Sequence, residues 1–126
     1  MTSPPAAILF DFDGTLADSY PAIAASVNYV RGVHGLASLS IDEVKGHVGR
    51  GLPYLLQQTV PNTSLESDAA LYRAHHPSVL VEGTRQLPEV GETLAALHAR
   101  KIPLAICSNK PVQFTRILVK IGRAHV

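Results

Sequence analysis

Ala6-Ala7-Ile8-Leu9-Phe10-Asp11-Phe12-Asp13-Gly14-Thr15-Leu16 is the stretch that decides the fold class. Its apolar start, behind Pro4-Pro5, is short and unbroken, which fits a buried strand of a parallel sheet. The run stops at Asp11, and Gly14 permits a backbone turn that other residues resist. Beyond the turn a helix is expected from about Asp18-Ser19, either of which can cap it, with Pro21 tolerated in the first turn. Tyr20, Ile23, Ala24, Val27 and Val30 recur at helical spacing, and Gly32 and Gly35 bracket the end.

Two capping boxes follow, Ser40-Ile41-Asp42-Glu43 and Thr63-Ser64-Leu65-Glu66. Between them Gly49-Arg50-Gly51 breaks the chain, and Leu52, Leu55, Leu56 and Val60 make another helical stripe with Pro53 in its first turn. Residues 17–83 are therefore expected to be wholly helical. After Glu82-Gly83, Val90, Leu94 and Leu97 mark an amphipathic helix. Glu89 and Glu92 lie near its start and Arg100 and Lys101 at its end, as the macrodipole favours. Ile102-Pro103-Leu104-Ala105-Ile106-Cys107 is a second expected buried strand. Ser108-Asn109-Lys110 closes it. Pro111 then opens a helix with Phe114, Ile117, Leu118 and Ile121 as its stripe. This order is an α/β layout. In parallel sheets ligands sit beyond the carboxyl ends of the strands, where both polar loops fall.

Composition narrows the function. A chain of 126 residues with 46% hydrophobic residues can build one core. A net charge of +1 with scattered basic residues argues against a nucleic-acid or membrane surface. The lone Cys107 allows no intrachain disulfide, which suits a reducing compartment. No signal-like start or membrane-length apolar run is present, so a cytoplasmic protein is expected.

Asp11 and Asp13 are close enough to share one site. One carboxylate can attack phosphorus. The other can give a proton to the departing alkoxide and later take one from water. A bound Mg²⁺ would relieve their repulsion, and oxygen-only ligation suits Mg²⁺ over zinc.

Asp11-Phe12-Asp13-Gly14-Thr15-Leu16 resembles motif I of the haloacid dehalogenase superfamily. That resemblance implies a Rossmann-like parallel sheet bearing an inserted helical cap. It implies Asp11 as nucleophile and metal ligand, and Asp13 as general acid/base that also lends the metal its backbone carbonyl. Thr15 would join the phosphate site. An acid at the second position sets phosphate-ester chemistry apart from dehalogenation. Ile106-Cys107-Ser108-Asn109 resembles motif II, which makes Ser108, helped by Asn109, a phosphoryl contact.

By the same resemblance, residues 17–83 are the cap, and residues 1–16 and 84–126 a partial core. Arg50 is the cap's candidate contact with an anionic substrate; a solvent-facing arginine at a helix break is the plain alternative. Leu16-Ala17-Asp18-Ser19 and Leu87-Pro88-Glu89-Val90 resemble the segments flanking the cap in phosphoglycolate phosphatases, which usually carry Gly where Glu89 stands. Lys110 is expected to be a solvated helix-start residue, since the family's phosphate-binding lysine comes later. His34, His47, His75, His76 and His98 are expected at the surface, and Cys107 inside a strand end.

The resemblance runs over residues 6–122. The family's later lysine and second acidic pair are not in this sequence, and one edge of the sheet is expected to be bare and apolar. Ile121-Gly122-Arg123-Ala124-His125-Val126 resembles a translated sequencing adapter, so a reading frame cut short is expected, with natural truncation the alternative. The chain as given is expected to turn over little and dissolve poorly. The complete protein is expected to be a Mg²⁺-dependent phosphomonoesterase acting on a small phosphorylated metabolite. The alternatives are a nucleotide or pyrophosphate phosphatase, a sugar-phosphate mutase, or a non-catalytic domain. Oligomeric state is not legible.

Overall fold

The two polar loops hang from one pair of parallel strands. In a computed structural model that describes residue 3 and residues 5–124, β1 (Ile8–Phe10) pairs with β4 (Leu104–Ile106). The register is Ile8 to Leu104, Leu9 to Ala105 and Phe10 to Ile106. The fold is α/β, as expected, but the strands are not buried. Leu9 is 67% exposed, and Ile106 and Cys107 are exposed as well. The physical reason is thin cover. Among the described residues the sheet has two strands, and α6 (Val90–Ala99) buries no residue fully. Its Val90, Leu94 and Leu97 are half-buried, which is the stripe expected of it.

Residues 17–83 are not wholly helical. β2 (Ala17–Asp18) pairs antiparallel with β3 (Arg85–Gln86), Ala17 opposite Gln86. Flanking this ribbon, Leu87 N–H donates to Leu16 O (3.1 Å) and Ala22 N–H to Gly83 O (3.1 Å). The chain thus enters and leaves the helical segment at one place. The helices between are α1 (Tyr20–Val33), α2 (Ile41–Lys45), α3 (Leu52–Thr59), α4 (Leu65–His75) and α5 (Pro77–Leu80). After β4, α7 (Val112–Ala124) closes the described chain. The adapter-like hexapeptide enters this helix as far as Ala124; His125 and Val126 lie outside the described residues. No described helix is long and apolar enough to cross a membrane.

Local chemistry explains most helix starts. Ser40 and Glu43 form the expected reciprocal capping box, with bonds of 3.1 and 2.7 Å. The second box is displaced: Ser64, not Thr63, caps α4. Thr63 instead bonds Asp68, a buried acid that also accepts from His34 Nε2 at 2.6 Å. His34 itself stays exposed, as expected. Ser19 precedes α1 but makes no cap bond, because its hydroxyl is used elsewhere. Glu89 precedes α6 at φ 68°, in the left-handed region that favours glycine.

The core sits among the helices. Ile23, Val27 and Val30 of α1 pack with Val44 of α2, Leu52, Leu55 and Leu56 of α3, Tyr72 of α4 and Leu80 of α5. Phe114 of α7 joins them, while Ile117 of the same expected stripe stays 39% exposed.

His76 is wholly buried, which corrects the surface expectation. It stacks on Tyr72, meets Phe114 edge-on, and its Nδ1 is 2.8 Å from Ser26 Oγ. Its Nε2 is buried without a hydrogen-bond partner among the described residues. His75, half-buried, also reaches Ser26, at 3.0 Å, and stacks on Tyr29. Burial first, then the charges of Lys110 and His75, push the His76 pKa down to about 3. An unfolded histidine titrates near 6.5. Between those values the unfolded chain holds the extra proton, so folded stability falls as pH drops below about 6.5. We expect the urea midpoint to fall between about pH 7 and pH 5, and to fall less in His76→Phe, where Ser26 keeps His75. Equal slopes in both proteins would show that His76 is not responsible.

Candidate active site

Asp11 follows β1 directly, and Ser108 lies just past β4. Because the strands are parallel, both loops leave the same edge. Asp11 is exposed, and its Oδ1 accepts from Phe12 N–H at 2.8 Å. The chain then turns tightly. Thr15, Leu16 and Ala17 N–H all point to Phe12 O, and Gly14 N–H donates to Ala17 O at 2.8 Å. Gly14 has φ 78°, and a Cβ there would lie 2.2 Å from Tyr20 Oη. No other residue fits that turn without moving Tyr20.

The turn carries Asp13 into the molecule. Two groups hold its Oδ1: the hydroxyl of fully buried Ser19, and Lys110 Nζ at 3.1 Å. The Lys110 side chain is only 3% exposed. The expectation of a solvated Lys110 is thus overturned, because Asp13 offers the charge that lets an ammonium leave water.

Ser108 Oγ accepts from Lys110 N–H at 3.1 Å, which shapes the second loop. Asn109 Nδ2 donates to Gly49 O at 2.8 Å and so ties that loop to the helical segment. A cavity lies between. Asp11, Asp13, Ser108, Asn109 and Lys110 form its polar side. Ile23, Val48, Leu52, Leu55, Tyr72 and Phe114 form an apolar side, with Gly49, Gly51 and Pro111 completing the wall. It is small, about 40 Å³, room for roughly three waters at about 10–15 Å³ each.

The other expected site residues stand apart. Thr15 is exposed and does not line the cavity. Arg50 is exposed too, its guanidinium 5.1 Å from the centre of the Tyr54 ring, although Gly49 and Gly51 on either side of it reach the wall. Sequence reasoning missed Ser19, Tyr72 and the role of Lys110. Only Lys110 gave a signal, by adjoining Ser108-Asn109.

Electrostatics follow from the acids. The Tyr20 phenol is raised by burial and then by Asp13, Asp18 and Asp11. Tyr72 is raised far more by burial, with Asp13 adding. Both stay neutral hydrogen-bond donors near neutral pH. No cluster of three or more His, Cys, Asp or Glu stands ready for a metal among the described residues. Asp11 and Asp13 nonetheless line one cavity with oxygen donors alone. Oxygen donors of this kind suit a hard divalent cation.

A model of the haloacid dehalogenase-like hydrolase family matches residues 8–123. The chain is 34% identical over 111 residues to a phosphoglycolate phosphatase of Rhodobacter capsulatus, covering 83% of this chain and 51% of the relative. It is 32% identical over 114 residues to the phosphoglycolate phosphatase of Aquifex aeolicus, covering 90% and 54%. A crystal structure of a predicted phosphoglycolate phosphatase from Haemophilus somnus superposes with a TM-score of 0.80 at 29% identity, over 86% of this chain and 53% of that one. The chain spans about half the length of the curated relatives it matches.

Proposed function

Because this chain belongs to the haloacid dehalogenase-like hydrolases, we propose that it carries the nucleophile half of a phosphomonoesterase site of the phosphoglycolate phosphatase kind. The observation behind this reading is that Asp11, Asp13 and Ser108 meet in one cavity at the carboxyl edge of a parallel strand pair. Asp11 is the exposed carboxylate, free to meet phosphorus. Asp13 is the held one, positioned by Ser19 and Lys110.

A carboxylate oxygen of Asp11 attacks phosphorus, and the phosphorus–oxygen ester bond breaks. The departing alkoxide takes a proton from Asp13. Water then attacks the phosphorus of the aspartyl phosphate, Asp13 takes its proton, and phosphate leaves with Asp11 restored. Ser108 and Asn109 hold the phosphoryl oxygens. Asp11 through its carboxylate and Asp13 through its backbone carbonyl would hold Mg²⁺. When bound, Mg²⁺ supplies neutralisation of phosphate charge.

Residues 17–83 serve as the cap, closing over the site to exclude water and choose the leaving group. The ribbon of β2 and β3 supports that reading, since it gathers the segment's two ends into one hinge-like attachment. The apolar wall suits a short leaving group rather than a highly charged one. Arg50 stands at the cap's edge and would have to turn from Tyr54 to meet a substrate carboxylate.

The test is phosphate release by a protein spanning the relatives' full length. The substrates are 2-phosphoglycolate, a nucleoside monophosphate, pyrophosphate and a sugar phosphate. We expect 2-phosphoglycolate to have the highest kcat/KM, EDTA to abolish release, and excess Mg²⁺ to restore it. Release unchanged by EDTA would remove the metal from the reading. A preference for pyrophosphate or nucleotide would replace the substrate.

A further inference from the structure

Lys110 is the only cationic side chain among the residues that line the cavity. Arg50 faces Tyr54 outside it. The lining carries two carboxylates, Asp11 and Asp13, against this one ammonium. An incoming dianion would meet repulsion from both acids, and among the described lining residues Lys110 is the side chain placed to offset it. Its reach is built in. The backbone N–H of Lys110 is held by Ser108 Oγ at 3.1 Å, so the ammonium and the expected phosphoryl contact arise from one fixed loop. An ammonium has three donors and a flexible stem, so contact with Asp13 leaves donors for a second oxygen.

We propose that Lys110 is an anion-binding residue of this cavity: it pairs with Asp13 when no anion is present and is shared between Asp13 and a phosphoryl oxygen when one is. The inference rests on the phosphatase reading only for the identity of the anion. It assigns to this chain's own loop an electrostatic contact with substrate beyond those of Ser108 and Asn109.

The probe is inorganic phosphate, added to the full chain with Mg²⁺ present. Equilibrium dialysis would compare wild type with Lys110→Met, Lys110→Arg and Ser108→Ala, each checked for folding by circular dichroism. We expect Lys110→Met to bind phosphate at least about tenfold more weakly, and Lys110→Arg to recover most of the loss, because charge rather than packing is at work. In wild type the ¹⁵N-labelled Lys110 ammonium resonance is expected to shift as phosphate is added, a readout that needs no variant to fold. Binding that survives Lys110→Met but is lost in Ser108→Ala would overturn the inference and leave the phosphatase reading standing. A Lys110 resonance that stays still while phosphate binds would overturn it likewise. If wild type takes up no phosphate, the inference fails, and trapping of phosphate on Asp11 judges the phosphatase reading separately.

Discussion

Asp11→Asn is expected to abolish turnover in a protein spanning the full length of its relatives, lowering kcat by roughly three to four orders of magnitude or more. An amide nitrogen or oxygen is a far weaker nucleophile toward phosphorus than a carboxylate, and it cannot supply the negative charge a cation would share. The change should leave the fold intact. Asp11 is exposed, and its one hydrogen bond, from Phe12 N–H to Oδ1, can be kept by the asparagine carbonyl. Two measurements separate chemistry from damage. Rapid acid quench with labelled substrate should trap an acyl phosphate, cleaved by hydroxylamine, in wild type but not in the variant. Thermal melting should agree between the two within about a degree. Turnover close to wild type, with mass spectrometry excluding deamidation back to aspartate, would sink the nucleophile assignment.

Phe114→Ala is expected to be the most damaging single change to stability. Phe114 is 2% exposed, lies 4.7 Å from the His76 ring and 6.5 Å from that of Tyr72, and lines the cavity. Truncating a buried phenylalanine costs about 3–5 kcal/mol, part from lost transfer energy and part from the void. For a chain of this size that is a drop of roughly 10–20 °C in Tm. Phe114→Leu should lose much less, since it fills most of the space. Leu9→Ala is the control: at 67% exposure it should move the midpoint little. The change also bears on the site. Phe114 is where α7, which follows the Ser108 loop, enters the core of the helical segment. Removing it loosens the cavity wall that faces Lys110. A Tm within a degree or two of wild type would show that α7 is not anchored there.

Much of the fold is legible in the order of the residues. The short apolar run ending at Asp11 places a carboxylate at a strand terminus, because strand length and the arrest of hydrophobicity are local properties. The same logic assigns α1 its apolar face, Val90, Leu94 and Leu97 the inner side of α6, and Ser40 with Glu43 a capping box. Local reasoning fails where a residue has two uses within one turn. Thr63 and Ser64 could each cap α4, and Asp68 decides between them by drawing the Thr63 hydroxyl away. Ser19 looks like a cap and holds Asp13 instead.

The residues on which the proposed chemistry rests are legible in the sequence: acids at the end of one strand and a serine at the end of the next expected strand. Which polar groups leave water is a different matter, settled by contacts between distant parts of the chain. The Lys110 side chain leaves water because Asp13, from the far end of the chain, is there to pair with it. His76 is buried because Ser26, 50 residues earlier, meets its Nδ1 while Tyr72 and Phe114 pack on its ring. Cys107 and Leu9, apolar by type, stay exposed because no further layer among the described residues covers their sheet. Hydrophobic pattern runs along the chain and can be read in one dimension. The cost of burying a charge or dipole depends on a partner brought from elsewhere, and that partner exists only once the chain has folded.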